Sequence, residues 1–155
     1  MTKLGKIIIG VIILLVAITA LLFLGSKNES KEEPILDKLV VENEILGKKE
    51  DLVSFNVLPG AKIPASALSF SGEIKGGWFF EGNILINILD ADKNVIKSGN
   101  ATATTDWQTA EPVSFSGTID LAGLPAGPAF FQIHNDNASG EAQFDKFIQI
   151  PITIE

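Results

Sequence analysis

Residues 68–74 read LSFSGEI, and residues 113–121 read VSFSGTIDL. In both, apolar side chains alternate with small polar ones. Leu68, Phe70, Gly72 and Ile74 fall on one side of the first stretch, with Ser69, Ser71 and Glu73 on the other. Val113, Phe115, Gly117, Ile119 and Leu121 repeat the arrangement in the second. A period of two marks an extended strand with one buried face. The tetrapeptide SFSG occurs in both, yet the flanks do not continue the match. Two strands in like surroundings explain this better than a duplicated unit.

The alternation extends outward from these two stretches. It covers residues 52–57 (LVSFNV), 78–89 (WFFEGNILINIL), 129–135 (AFFQIHN) and 144–154 (FDKFIQIPITI), and more weakly 95–104. Turn residues separate the runs, notably Pro59-Gly60 and the polar stretch 90–94. The pattern sets Trp78, Phe80, Ile84, Ile86 and Ile88 inward, with Ile148, Ile150, Ile152 and Ile154 on one face of the last run. Seven such strands without a convincing helix predict an all-β fold, a seven-stranded antiparallel β-sandwich over residues 52–155. Pro151 cannot donate to a ladder, which predicts an edge position for the last strand.

Residues 7–24, IIIGVIILLVAITALLFL, form the longest uncharged run. As a helix they would span about 27 Å, close to the hydrocarbon thickness of a bilayer. The exit FLGSKNES offers no A-x-A cleavage site, so residues 1–25 read as a retained N-terminal signal-anchor, one transmembrane helix. The lysine tally on either side leaves orientation open. The signal-like start places the C-terminal domain outside, on a single-pass protein of the cell membrane. Residues 26–51 hold 13 charged side chains in 26 and read as a solvated spacer. Within them PILDKLVVENEILG carries Leu36, Leu39, Asn43 and Leu46 at 3-4-3 spacing, which resembles a dimeric coiled-coil seam, but two heptads are too few to be stable alone, and a stalk helix or an accessory strand is the plainer reading.

Composition narrows the function. The chain has 155 residues, no Arg and no Cys, and all 19 acids follow the apolar run against 10 of its 12 lysines. An acidic, Arg-free domain is a poor partner for nucleic acid. Without Cys there are no disulfides and no thiolate metal sites. Asp90-x-Asp92-x-Asn94 opens like a calcium loop, but Val95 and Ala101 stand where that loop needs Gly and Glu, so a hairpin turn explains it. His134 is the only histidine, and no G-x-S-x-G elbow accompanies it, which leaves a hydrolase as a remote alternative. Glu73 and Glu81 read as solvated surface acids rather than a catalytic pair. Asn28, Asn100 and Asn137 begin N-x-S/T triplets to which no role is assigned. No catalytic residue, cofactor or metal ligand is predicted.

The stretch GGWFFEGNILINILDADKNVIKSGNATATTDWQT, the strand VSFSGTIDL, the loop NDNASG and the closing IPITIE together resemble the bacterial immunoglobulin-like domain of sporulation and spore-germination proteins. The resemblance covers residues 52–155. Its most specific parts are Trp78-Phe79-Phe80-Glu81, Asp90-Ala91-Asp92, Asp106-Trp107 and Asn137-Ala138-Ser139-Gly140. Relatives often carry Pro in place of Ala138. The resemblance implies an envelope-facing, non-catalytic module and transfers no binding residues. In the immunoglobulin layout the two SFSG strands are sheet neighbours, and strands three, six and seven share the other sheet. Alternation on those three strands sends Phe79, Phe130 and Phe147 outward, beside Glu81, Gln132 and Gln149. These six form the candidate partner-binding site, since an apolar patch rimmed by polar groups suits a protein interface. The expected function is a membrane-anchored, extracytoplasmic immunoglobulin-like module that binds another envelope protein. A cell-wall glycan is the alternative partner, weakened by the absence of Tyr.

Overall fold

The computed structural model describes residues 43–155. The apolar run 7–24 and most of the charged spacer lie outside the described residues. Nine strands follow one another: β1 (Leu46–Gly47), β2 (Leu52–Phe55), β3 (Ala61–Ile63), β4 (Ala67–Ile74), β5 (Asn83–Asp90), β6 (Val95–Ala103), β7 (Val113–Asp120), β8 (Gly127–His134) and β9 (Phe147–Ile154). They form one strongly curled sheet in the order β1-β9-β8-β5-β6-β7-β4-β2, with β3 beside β9. The two halves join through Thr102 and Ala103 of β6, which pair with Ser116 and Phe115 of β7. The fold is all-β, as expected. The two strands added to the predicted seven are two and three residues long. Runs that short leave no alternation to read.

β4 and β7 are antiparallel neighbours along their whole length, from Ala67↔Asp120 to Ile74↔Val113. The two SFSG segments therefore face each other, with Phe70 opposite Gly117 and Gly72 opposite Phe115. Each ring lies over the glycine across from it. A Cβ on Gly117 would stand 2.6 Å from Phe70 Cζ, and one on Gly72 would stand 3.0 Å from Phe115 Cζ. At Gly117 the missing side chain is thus the space into which the opposite Phe packs, while at Gly72 the β2 atoms Ser54 O, at 2.5 Å, and Phe55 Cδ2, at 2.8 Å, come closer still. Phe55, Phe70 and Phe131 meet around this pair, the Phe70 and Phe131 centroids 5.0 Å apart edge to face. Burying rings of this size is the dominant stabilising term.

Residues 56–60 carry the chain from one half of the sheet to the other. Asn56 Oδ1 accepts from Ser71 N, Val57 is buried, and Gly60 N donates to Pro151 O at 2.8 Å. β3 then runs parallel to the end of β9. β9 is consequently not the edge that Pro151 suggested. β1 covers Ile148 and Gln149, β3 covers Ile152 to Ile154, and Pro151 falls in the gap between them. Its missing N–H is tolerated because the ladder changes partner there. β1 also shows that residues 43–51, assigned to the spacer from sequence, belong in part to the folded domain.

Candidate functional site

The structure divides the six predicted residues. Phe130, Gln132, Phe147 and Gln149 do project from the outer face of the β6-β5-β8-β9 half, with Phe131, Ile133, Ile148 and Ile150 buried behind them. Only Phe147 is exposed. Phe130 is half-buried beneath Lys93, whose Nζ lies over the ring and is held below the usual lysine range by burial. Gln132 and Gln149 oppose one another across β8 and β9 and are buried. Asn87 Nδ2 donates to Gln132 Oε1 at 2.9 Å, and Ser98 Oγ donates to Asn87 Oδ1 at 2.8 Å. A hydrogen-bonded row therefore links β8, β5 and β6 across this face.

Phe79 requires a correction. It lies in the core, 8 % exposed, against Phe115, whereas Phe80 is 43 % exposed. The predicted strand 78–89 is not continuous. Phe80 and Asn83 bond to each other in both directions around a two-residue turn, with Glu81 at φ 50° and Gly82 at φ 77°. Residues opposed in a hairpin share a face. Ile84 points in, so Asn83 points out, and Phe80 points out with it. Phe79 then turns inward. Glu81 stands at the tip of the turn, off the sheet, and shares no surface row with Gln132 or Gln149.

Three loops gather at the end of the sandwich where this turn lies: 75–82, 104–112 and 135–146. They are tied to one another. Gly76 packs so closely on residues 109 and 110 that a Cβ would meet Thr109 O at 1.8 Å. Asp136 N donates to Trp78 O, and Lys146 Nζ donates to Gly77 O at 2.7 Å. Asn135, itself buried, donates to Phe144 O and accepts from Lys146 N. Trp107 lies against Gly82. Trp78 is the anchor: it is fully buried, and its Nε1 donates to Asp51 Oδ2 at 3.2 Å.

Burial pushes the Asp51 carboxyl upward, but hydrogen bonds from Lys75 and Trp78 and the charges of Lys75 and Lys146 outweigh it, so its pKa is lowered. Lys146 lies 5.0 Å over the Trp78 ring, and burial lowers its pKa against the opposing pull of Asp51. The same end presents exposed rings. Phe144, on a helical turn over Ala142–Phe144, is 54 % exposed, and Phe147, at the loop-side end of β9, is 40 % exposed. Sequence reading missed Phe80 and Phe144. Gly82 was the one cue to the first, weakened because Glu81 stands where a hairpin of this kind usually has Asn or Asp. Phe144 was assigned to the last strand, and the charged Asp145-Lys146 step is where that alternation breaks.

The remaining candidates fall apart as chemistry. Asp90 Oδ1 accepts from Asp92 N, Asn94 N and Asn94 Nδ2, so the carboxylate caps its own turn, and these bonds lower its pKa. Glu73 lies on β4 and Glu81 on the turn, while His134 sits between Leu85 and Phe147 on the outer face. Among the described residues no group of three His, Cys, Asp or Glu is placed to hold a metal.

Residues 58–142 match the family model described as the immunoglobulin-like domain of bacterial spore germination. No curated protein and no solved structure matches the chain. The match spans more than half of the sequence, including the facing SFSG strands, the 80–83 turn and two of the three tied loops. The chain belongs to the family of immunoglobulin-like domains of bacterial spore germination.

Proposed function

We propose that this chain is a non-catalytic binding module, held in the cell membrane by residues 7–24 with its β-domain on the extracytoplasmic side, and that the loop end engages another protein of the envelope. One observation carries the reading: Phe80, Phe144 and Phe147 stand exposed at a single end, the first two on loops fixed by their own hydrogen bonds and the third at the start of β9. Turn formation needs none of these rings. Exposed aromatic side chains are the usual anchors of protein interfaces, and rigid loops lose little entropy when they bind. The uncharged 18-residue run and the family membership support the envelope setting.

The experiment uses the full chain expressed in a bacterial host. Membrane fractionation with sequencing of the mature N-terminus checks the anchor; a soluble product beginning after Gly25 or Ser26 overturns it. Capture from envelope extracts, compared between the parent and Phe80→Ser/Phe144→Ser, checks the docking end. Specific protein capture by the parent should be lost in the variant. Retention of insoluble cell-wall glycan with no protein capture would favour the glycan alternative.

A further inference from the structure

The loop end is charged as well as aromatic. Its three loops hold Glu81, Asp106, Glu111, Asp136, Glu141 and Asp145 against Lys75 and Lys146, and the adjoining segment 48–51, bonded to Lys75 and Phe147, adds two lysines and two acids, so the excess of acids is unchanged. All four ammonium groups are engaged by other partners: Lys48 Nζ is 3.9 Å from Glu50 Oε1 and Lys49 Nζ is 2.7 Å from Glu44 Oε1. Lys75 Nζ is 2.9 Å from Asp51 Oδ1, and Lys146 Nζ is held by Gly77 O over the Trp78 ring. None of the six carboxylates forms an ion pair among the described residues. The bonds they do make are to neutral groups, as from Gln108 N to Asp106 and from Asn137 Nδ2 to Asp145. Their negative charge is left uncompensated beside the exposed rings.

We infer that the loop end receives a cationic polypeptide segment, one in which Lys or Arg side chains are interleaved with apolar ones. This rests on the loop-end docking proposed above and names the chemistry of its partner. Apolar side chains pack on Phe80, Phe144 and Phe147, and ring faces also attract ammonium and guanidinium groups. The carboxylates steer a cationic segment from a distance and reject acidic ones. A neutral glycan would draw nothing from this charge.

The probe is a phage-displayed library of random dodecapeptides, selected at low salt on the full chain in nanodiscs of zwitterionic lipid. Selected peptides should be rich in Lys or Arg alternating with apolar residues. Their affinity should fall about tenfold at ~1 M salt, where the screening length is only about 3 Å. A similar loss should follow from the combined exchange Glu81→Gln, Asp106→Asn, Glu111→Gln and Glu141→Gln. The salt series needs no variant, so it stands even if the combined exchange perturbs folding. Peptides lost on Phe144→Ser but neutral or acidic, and indifferent to salt, would overturn the charge inference while leaving loop-end docking intact. Peptides indifferent to both Phe80→Ser and Phe144→Ser, or no selected peptides at all, would overturn the docking with it.

Discussion

The two ends of the sandwich are made of different amino acids. At one end the loops 75–82, 104–112 and 135–146 carry six acids, two lysines, both tryptophans and three phenylalanines, and the segment 48–51 bonded to them adds two acids and two lysines. At the opposite end the loops 56–60, 64–66, 91–94 and 121–126 are mainly Pro, Gly, Ala, Leu, Asn and Ser, with Asp92 and Lys93 their only charges; the charges beside them are spent locally, Asp90 and Asp120 capping turns and Glu155 pairing with Lys62. Reversing a chain requires only the second kind of residue. Leu58 and Val95 are exposed at or beside that end, singly, as surface hydrophobes commonly are. The first end holds buried Trp78 and Phe79, cross-loop hydrogen bonds and rings left in water. The difference separates loops that only connect strands from loops built to hold a surface in place.

The largest effect that can test this contrast lies within one dipeptide. Phe79→Ala should cost about 3–5 kcal/mol by denaturant unfolding, as for a buried ring. Phe80→Ala, one residue on, should cost less than about 1 kcal/mol. Equal losses would show that the turn at Glu81-Gly82 does not set the register.

Next in size are two glycines, one at each end. Gly76→Ala drives a methyl into the Thr109 carbonyl, 1.8 Å away, and should cost roughly 2–3 kcal/mol by forcing two loops apart. Gly123→Ala, at φ 79° with nothing within 4 Å, meets only the left-handed backbone penalty of about 1 kcal/mol. Thermal unfolding of the pair measures whether contact or conformation dominates at each end.

Asp51 gives the tied end a pH dependence. Its folded pKa is lowered, so the stability it contributes is present above the unfolded carboxylate value, near 4, and is lost as pH falls through the lower folded value. Asp51→Asn should cost about 1 kcal/mol at neutral pH, a discounted figure because its partner Lys75 is half exposed. The difference from the parent should shrink as the pH drops below 4. A constant difference across that range would mean that the carboxylate charge contributes nothing.

Much of this architecture was legible in the sequence, and its failures share one cause. Period-two alternation located all seven long strands, and the twin SFSG segments proved to be neighbours, because both signals belong to residues inside continuous ladders. Phe79 and Phe80 were exchanged because the alternation was carried across a turn that reverses the chain, and parity is reset at a hairpin. Pro151 suggested an edge because one strand's sequence does not show that two short strands divide its flank. Gln132 and Gln149 alternate with the buried Ile133 and Ile148, yet direction does not decide exposure, since both glutamines are themselves buried. Phe144 was hidden because the expected strand began at it, whereas it closes the helical turn Ala142–Phe144.

Glu81 is expected to show the smallest effect and the most informative one. It is exposed at the tip of the 80–83 turn with φ 50°, where Asn or Gly would suit the backbone better. A Glu in that conformation costs stability, and nothing in the turn recovers it: its side chain forms no ion pair among the described residues. Glu81→Asn should therefore stabilise the domain by about 0.5 kcal/mol while removing one of the carboxylates beside Phe80. If the loop end takes a cationic partner, the stabilised variant should bind it more weakly, with the loss confined to low salt. A gain in stability with unchanged binding would leave the charge of this end without a use. A loss of stability would mean that the turn depends on Glu81 for a reason the backbone angles do not reveal.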